Sequence, residues 1–219
     1  KIVIIESTCV PGTAETVERI FSSKGWFFDV VMAPERVLPG ETLKEIKEND
    51  RIIGGAKAPL EKVANLYQRV VNGEILKVSA TEAELAKIFE NTFRDVNIAL
   101  ANEMSAICDS FGANFVRVRE VANRHPRVNI HQNGIGVGGH CIPVDPNFLI
   151  DGTNNTSMIS SARAVNEAQP KKIAGRIGAR CAELKVTKLD VYGVSYKAGV
   201  VDFRESPALT IVEILERQY

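Results

Sequence analysis

Residues Ser79 to Phe111 contain neither glycine nor proline, and no other feature constrains the chain so tightly. The run opens on Ser79-Ala-Thr-Glu82, the spacing of a capping box in which hydroxyl and carboxylate satisfy each other's backbone N–H groups. The pattern predicts one long helix through the middle of the chain. Lys87, Asn91 and Asp95 recur at every fourth residue, and Asn102 follows Asn91 by about three turns, so all four share one face. A stripe of this kind is either solvated or pressed against something. Ile88, Phe89, Val96, Ile98, Ala99, Leu100 and Met104 fill much of the remaining circumference, which favours a pressed stripe.

The flanks of this helix differ. Lys1-Ile-Val-Ile-Ile5 is an unbroken β-branched run, the pattern of a strand buried on both faces of a parallel sheet. A helix from residue 11 to about Phe21, strands at Phe27–Met32, Ile52–Gly55 and Ile75–Val78, and a helix from Pro59 to about Val71 complete an alternating α/β segment. After the long helix, residues 115–124 read as helix and residues 126–148 as a Gly- and Pro-rich loop too long for a plain connector. Residues 157–168 and 170–184 read as two helices, the second with Pro170 in its first turn. Lys188–Val194 reads as another buried strand, and Ser206-Pro207 as the N-cap and first residue of a last helix running to the end of the chain. The organisation expected is residues 1–78 as part of a Rossmann-like parallel sheet, 79–185 as a central helical domain, and 186–219 as the start of a second nucleotide-binding α/β domain. No G-x-G-x-x-G turn follows a strand, so the usual pyrophosphate cradle is not found.

Charge and cysteine usage narrow the function. Twenty-seven Lys and Arg balance twenty-seven Asp and Glu, so no global field recruits nucleic acid or an anionic membrane, and an anionic ligand must be met by placed cations. No apolar run reaches the roughly 20 residues of a membrane span, and no signal peptide opens the chain, which makes the cytoplasm the expected compartment. The four cysteines are scattered and form no metal or disulfide pattern. Cys9, Cys108 and Cys181 sit in apolar or helical contexts expected to bury them. Cys141 lies in Gly136-Val-Gly138-Gly139-His140-Cys141-Ile-Pro143-Val-Asp145-Pro146. There, glycines permit close approach and prolines stiffen the exit, the surroundings a nucleophilic thiol needs. A structural glycine loop with an incidental thiol is the alternative, and a metal site from His140, Cys141 and Asp145 with His125 or His131 is weaker because no second ligand pair has the right spacing. Ser7-Thr8 and Ala33-Pro-Glu35-Arg36 each follow a strand, at the sheet edge where α/β folds collect ligands. Taken alone, each is also an ordinary turn.

Together, Glu6-Ser-Thr8, Ala33-Pro-Glu35-Arg-Val-Leu-Pro-Gly40, Lys87 with Asn91, Asn102-Glu103, the Gly-Gly-His-Cys-Ile-Pro-Val-Asp segment, Tyr196-Lys197 and Asp202-Phe-Arg204-Glu-Ser-Pro207 resemble the nucleotide-sugar 6-dehydrogenases. This is the family of UDP-glucose, GDP-mannose and UDP-N-acetylmannosamine dehydrogenases. Pro34–Gly40, Asn49-Asp-Arg51, Phe93–Ala99 and Asn123–Ile130 look most like its UDP-N-acetyl-D-mannosamine branch.

The resemblance implies NAD as cofactor, a UDP-sugar as substrate and a twofold oxidation of a C6 alcohol to a carboxylate. Cys141 would be the nucleophile that carries the sugar as thiohemiacetal and thioester. Lys87 and Asn91 would stabilise its oxyanions, Asp145 with Thr8 would orient water, and Glu35 would activate it. Thr8, Glu35 and Arg204 would lie on the NAD side, and Arg127, Gly138, Gly139 and Lys197 on the substrate side. Some family members carry a second acid four residues after Glu35, where this chain has Pro39. The missing fingerprint and the short last segment give the chain the look of the middle of a longer enzyme, one expected to bind NAD poorly by itself. The long helix is expected to form the core of a homodimer.

Overall fold

A computed structural model describes residues 1–37 and 40–217. Pro39, singled out above, and the last two residues of the expected C-terminal helix lie outside the described residues. The elements run β1 (Ile2–Ile5), α1 (Thr13–Ser23), β2 (Asp29–Met32), α2 (Thr42–Glu48), β3 (Arg51–Gly54), α3 (Lys57–Tyr67), β4 (Ile75–Val78), α4 (Ala80–Ser110), α5 (Phe115–Ala122), α6 (Asp145–Ile150), α7 (Ser157–Leu184) and α8 (Pro207–Glu216). They group into two compact units, residues 1–90 with 151–153, and residues 91–150 with 154–219.

The first unit is an α/β layer. Its sheet has the order β1-β2-β3-β4. Alternate side chains of β2 and β3 enter opposite cores, as the two-residue period of a strand requires. Val31, Ala33 and Ile53 pack with Leu60, Val63 and Ala64 of α3. Val30, Met32 and Ile52 face Ala14 of α1 and Ala83 at the start of α4. Covering both faces explains why β1 reads as an uninterrupted apolar run. The sheet is not wholly parallel as expected: β1–β2 and β3–β4 are parallel, but β2 and β3 are antiparallel, with Met32 opposite Gly54. The connection from β2 to β3 carries the short helix α2 instead of a crossover helix spanning the sheet, and an antiparallel return needs no crossover.

In the second unit, α7 is one helix with Pro170 inside it, not the two expected. A proline in a helix interior costs about 3 kcal/mol, and packing on both halves offsets it. Arg163 and Asn166 bond to Asp95 of α4, while Ala174, Ile173 and Ile177 pack on Ile211, Ile214 and Leu215 of α8. The expected strand at Lys188–Val194 is not formed. Val191 and Tyr192 are exposed, and no strand among the described residues lies beside it to supply a ladder of hydrogen bonds. The capping box of α4 is formed as read: Ser79 N–H donates to Glu82 at 2.7 Å and Glu82 N–H to Ser79 Oγ at 3.2 Å.

Candidate functional site

In the second unit, the loop that carries Cys141 is tied down at three places, each by polar side chains that helices hold in position. Asn123, at the end of α5, accepts the Ile130 N–H at 2.7 Å and returns its amide to the Ile130 carbonyl, which Arg119 also reaches. Asn102 of α4 accepts the Gly134 N–H at 2.8 Å, and Gln169 of α7 donates to the Gly134 carbonyl at 2.9 Å. Asn91 of α4 donates to Asp145 Oδ2 at 2.6 Å. Asp145 opens α6 and is 4% exposed, and its own N–H donates to the Cys141 carbonyl at 2.9 Å. Cys141 therefore sits one turn before a buried Asn–Asp pair. The thiol itself is exposed, and its Sγ lies 3.1 Å from Nδ1 of His140.

The polar stripe of α4 is pressed inward, as its apolar neighbours implied. Asn91, Asp95, Asn102 and Ser105 are buried, while Phe93, Leu100 and Ile107 are exposed. Asp95 is fully buried. Its Oδ1 accepts from Arg163 at 2.7 Å and Asn166 at 2.9 Å, and its Oδ2 has no hydrogen-bond partner. Burial pushes the Asp95 carboxyl above the usual carboxylate range, with the Arg163 guanidinium opposing that shift. Arg163 and Asn166 carried no recognisable spacing signal toward Asp95, because their approach depends on how α7 lies on α4. A cavity of about 430 Å³ beside them is lined by Val137, Pro143, Arg163, Glu167, Pro170 and Glu205, among others.

Gly138 and Gly139 earn their place by close approach to the 196–207 segment. A Cβ on Gly138 would lie 2.7 Å from the Glu205 carbonyl and from Tyr196. Gly139 has φ +84°, lies under the Tyr196 ring, and donates its N–H to the Arg204 carbonyl at 3.2 Å. Arg204 forks onto Asp202, with Nη2 to Oδ2 at 2.6 Å, and this pair holds the Asp202 carboxyl down at about 2. Lys197 and Arg127 are exposed. Among the described residues no group of three or more His, Cys, Asp or Glu side chains is placed to hold a metal ion.

In the first unit, Thr8 and Glu35 stand after the ends of β1 and β2, both half-buried, and Lys87 is half-buried on α4. Sequence reading singled out Glu35 but not the group that grips it. The Glu35 carboxylate accepts the N–H groups of Arg36 at 2.6 Å and Val37 at 3.1 Å, and a bond from the buried Arg51 at 3.3 Å. For NAD, the strand ends offer Thr8 and Glu35, but a pyrophosphate cradle is missing among the described residues. The N-terminus of α1, the helix that follows β1, has its Gly12 and Ala14 N–H groups already taken by the Glu84 carboxylate at 2.6 and 2.9 Å.

The second unit thus carries a thiol on a pinned glycine loop, and the first a strand edge with Thr8 and Glu35. The match to known families is specific: residues 1–71 fit the NAD binding domain, and residues 81–168 the central domain, of the UDP-glucose/GDP-mannose dehydrogenase family. The chain belongs to this family. It is 44% identical over 217 residues to a UDP-N-acetyl-D-mannosamine dehydrogenase of Methanococcus vannielii, covering 98% of this chain and 50% of that protein. An NDP-N-acetyl-D-galactosaminuronic acid dehydrogenase of Ralstonia nicotianae is 43% identical over 231 residues, covering 99% of this chain and 55% of its own length. The solved structure of the UDP-D-ManNAc dehydrogenase of Pyrococcus horikoshii superposes with a TM-score of 0.91 at 43% identity, over 99% of this chain and 54% of that one. The chain thus spans about half the length of the relatives it matches. No helix among the described residues is long and apolar enough to cross a membrane.

Proposed function

We propose that the protein carrying this chain oxidises the C6 alcohol of UDP-N-acetyl-D-mannosamine to the uronate in two steps, with Cys141 as the covalent carrier. The buried 2.6 Å bond from Asn91 to Asp145 carries the reading. It fixes a loop turn whose first residue is an exposed thiol, and a loop serving only as packing has no need of that thiol's exposure. The similarity to UDP-N-acetyl-D-mannosamine dehydrogenases supports the choice of sugar.

In this reading the alcohol loses a proton and a hydride to become an aldehyde, and Lys87 assists removal of the proton. The Cys141 sulfur adds to the aldehyde carbon, and the hemithioacetal loses a second hydride and its hydroxyl proton to become a thioester. NAD, when bound, supplies the hydride acceptor. The Asn91 amide and the Lys87 ammonium stabilise negative charge on the sugar oxygen. Asp145 and Thr8 orient water, and Glu35 takes its proton as the carbon–sulfur bond breaks and the thiol is restored. Arg127, Lys197, Gly138 and Gly139 serve the UDP-sugar, and Arg204 the dinucleotide.

We further infer a homodimer through α4. Phe93, Leu100 and Ile107 are exposed at seven-residue intervals and Phe111 continues the same apolar side, with exposures from 46% to 84%. A helix that buries its polar stripe and shows its apolar one presents a face for another copy.

The test is turnover of the full-length protein with NAD and, separately, UDP-N-acetylmannosamine, UDP-N-acetylglucosamine, UDP-glucose and GDP-mannose. Two NADH per UDP-N-acetylmannosamine is the expected yield. A yield of one, or a preference for UDP-glucose, overturns the assignment.

A further inference from the structure

The antiparallel pairing of β2 with β3 has a chemical result. Carried three residues beyond Met32 and Gly54, that register sets Glu35 opposite Arg51, so the first residue of β3 arrives at the edge where β1 and β2 end. Arg51 is 7% exposed there. Its Nη2 donates to Glu6 Oε1 at 2.6 Å and to the Ala33 carbonyl at 3.2 Å, and its Nη1 donates to Glu35 Oε2 at 3.3 Å. The guanidinium carbon stands 4.3 Å from the centre of the Tyr67 ring, within cation–π range. The Tyr67 hydroxyl donates to the same Glu6 oxygen, and burial together with that bond pushes the phenol up to about 12, so it remains a donor.

The consequence falls on Glu35. Oε1 is held by two backbone N–H groups and Oε2 by one guanidinium, so the carboxylate has one orientation. Arg51 is in turn fixed from three other sides, by Glu6, the Ala33 carbonyl and the Tyr67 ring. Arg36, the other nearby cation, turns away to Glu90 at 2.7 Å and to the Asp50 carbonyl. A buried ion pair gains little stability over apolar residues of the same volume. An arginine clamped on four sides so that one nitrogen meets one carboxylate oxygen is the arrangement of a group that aims another.

We propose that Arg51 is a positioning residue for Glu35, aiming its Oε2 for hydrolysis of the Cys141 thioester. This rests on the reading that Glu35 activates water. In the step concerned, a water O–H bond breaks and its proton passes to Glu35. The hydroxide oxygen bonds to the thioester carbon, the carbon–sulfur bond breaks, and the sulfur regains a proton.

Arg51→Met, Arg51→Lys and Glu35→Gln in the full-length protein test the proposal, with NAD and UDP-N-acetylmannosamine. Rapid-mixing kinetics read the first-turnover NADH burst, steady-state rates read hydrolysis, and mass spectrometry reads the adduct on Cys141. Arg51→Met is expected to keep the burst within about twofold, to slow the steady state at least tenfold and to accumulate the adduct on Cys141. Glu6 and Tyr67, which also face Arg51, are unchanged in that comparison. Equal loss of burst and steady state, with no adduct accumulated, overturns the proposal. Should Arg51→Met fail to fold, Arg51→Lys decides: it keeps the charge and loses the fork, so a slow steady state with a normal burst and an accumulated adduct supports positioning, and a wild-type steady state overturns it. Glu35→Gln separates the two layers. A slowed steady state with a normal burst supports the role of Glu35 whatever Arg51 does, and no slowing overturns both.

Discussion

Arg163→Met removes the cation that, among the described residues, meets the buried Asp95. The carboxylate is 0% exposed and is held by Arg163 at 2.7 Å and by Asn166 at 2.9 Å, with Oδ2 unpartnered. Breaking a buried pair from one side leaves an uncompensated charge, which costs about 3–5 kcal/mol. For a chain of this size that lowers the thermal midpoint by about 6–20 °C at pH 7. The pH dependence has a definite sign. Burial already raises the native carboxyl above its unfolded value, and the arginine opposes that rise, so without Arg163 it climbs further. The native state then binds the proton more tightly than the unfolded state, and stability is regained as pH falls through the native value. The deficit of Arg163→Met is therefore largest at pH 7 and smaller at pH 5. In Asp95→Asn/Arg163→Met the charge is gone and most of the loss is recovered. Circular dichroism melts of parent, single and double variants at both pH values make the measurement. A single variant within about 1 kcal/mol of the parent, or a deficit equal at both pH values with no recovery in the double variant, refutes the reasoning.

Three further outcomes are expected. Asn91→Ala removes the buried donor that meets Asp145 Oδ2 at 2.6 Å, which costs about 1–3 kcal/mol and should lower turnover at least tenfold; unchanged melting and turnover contradict it. His140→Ala removes the ring nitrogen 3.1 Å from Sγ and should slow alkylation of Cys141 by iodoacetamide at neutral pH severalfold, read by peptide mass spectrometry; Cys9, whose thiol burial pushes up, serves as the slow internal reference. Phe93→Glu with Leu100→Glu places charge on the exposed apolar side of α4 and should convert a dimeric mass in light scattering to a monomeric one.

Local signals were legible and register was not. The capping box at Ser79, the strand Ile75–Val78 and the inward turn of Asn91, Asp95 and Asn102 could be read because each depends on residues a few positions apart. The clamp on Glu35 could not, because Arg51 reaches it only through an antiparallel pairing that the alternating pattern disguised as parallel. Pro170 read as a helix start, since local propensity does not register the packing of α7 on α4 and α8. Lys188–Val194 has the composition of a strand, but a strand also needs a neighbour. Of the candidate site, Cys141, Asn91 and Asp145 stood out in the sequence by motif, while Arg163 and Asn166 became visible only when the helices were packed.

The central claim is that the Cys141 sulfur carries the sugar between two oxidations. The direct measurement is intact and peptide mass spectrometry of the full-length Glu35→Gln protein quenched during turnover with UDP-N-acetylmannosamine and NAD, beside Cys141→Ala. The account predicts a hydroxylamine-labile sugar adduct on the Cys141 peptide of the first, and neither adduct nor uronate from the second. Uronate formed at the parent rate by Cys141→Ala would contradict it.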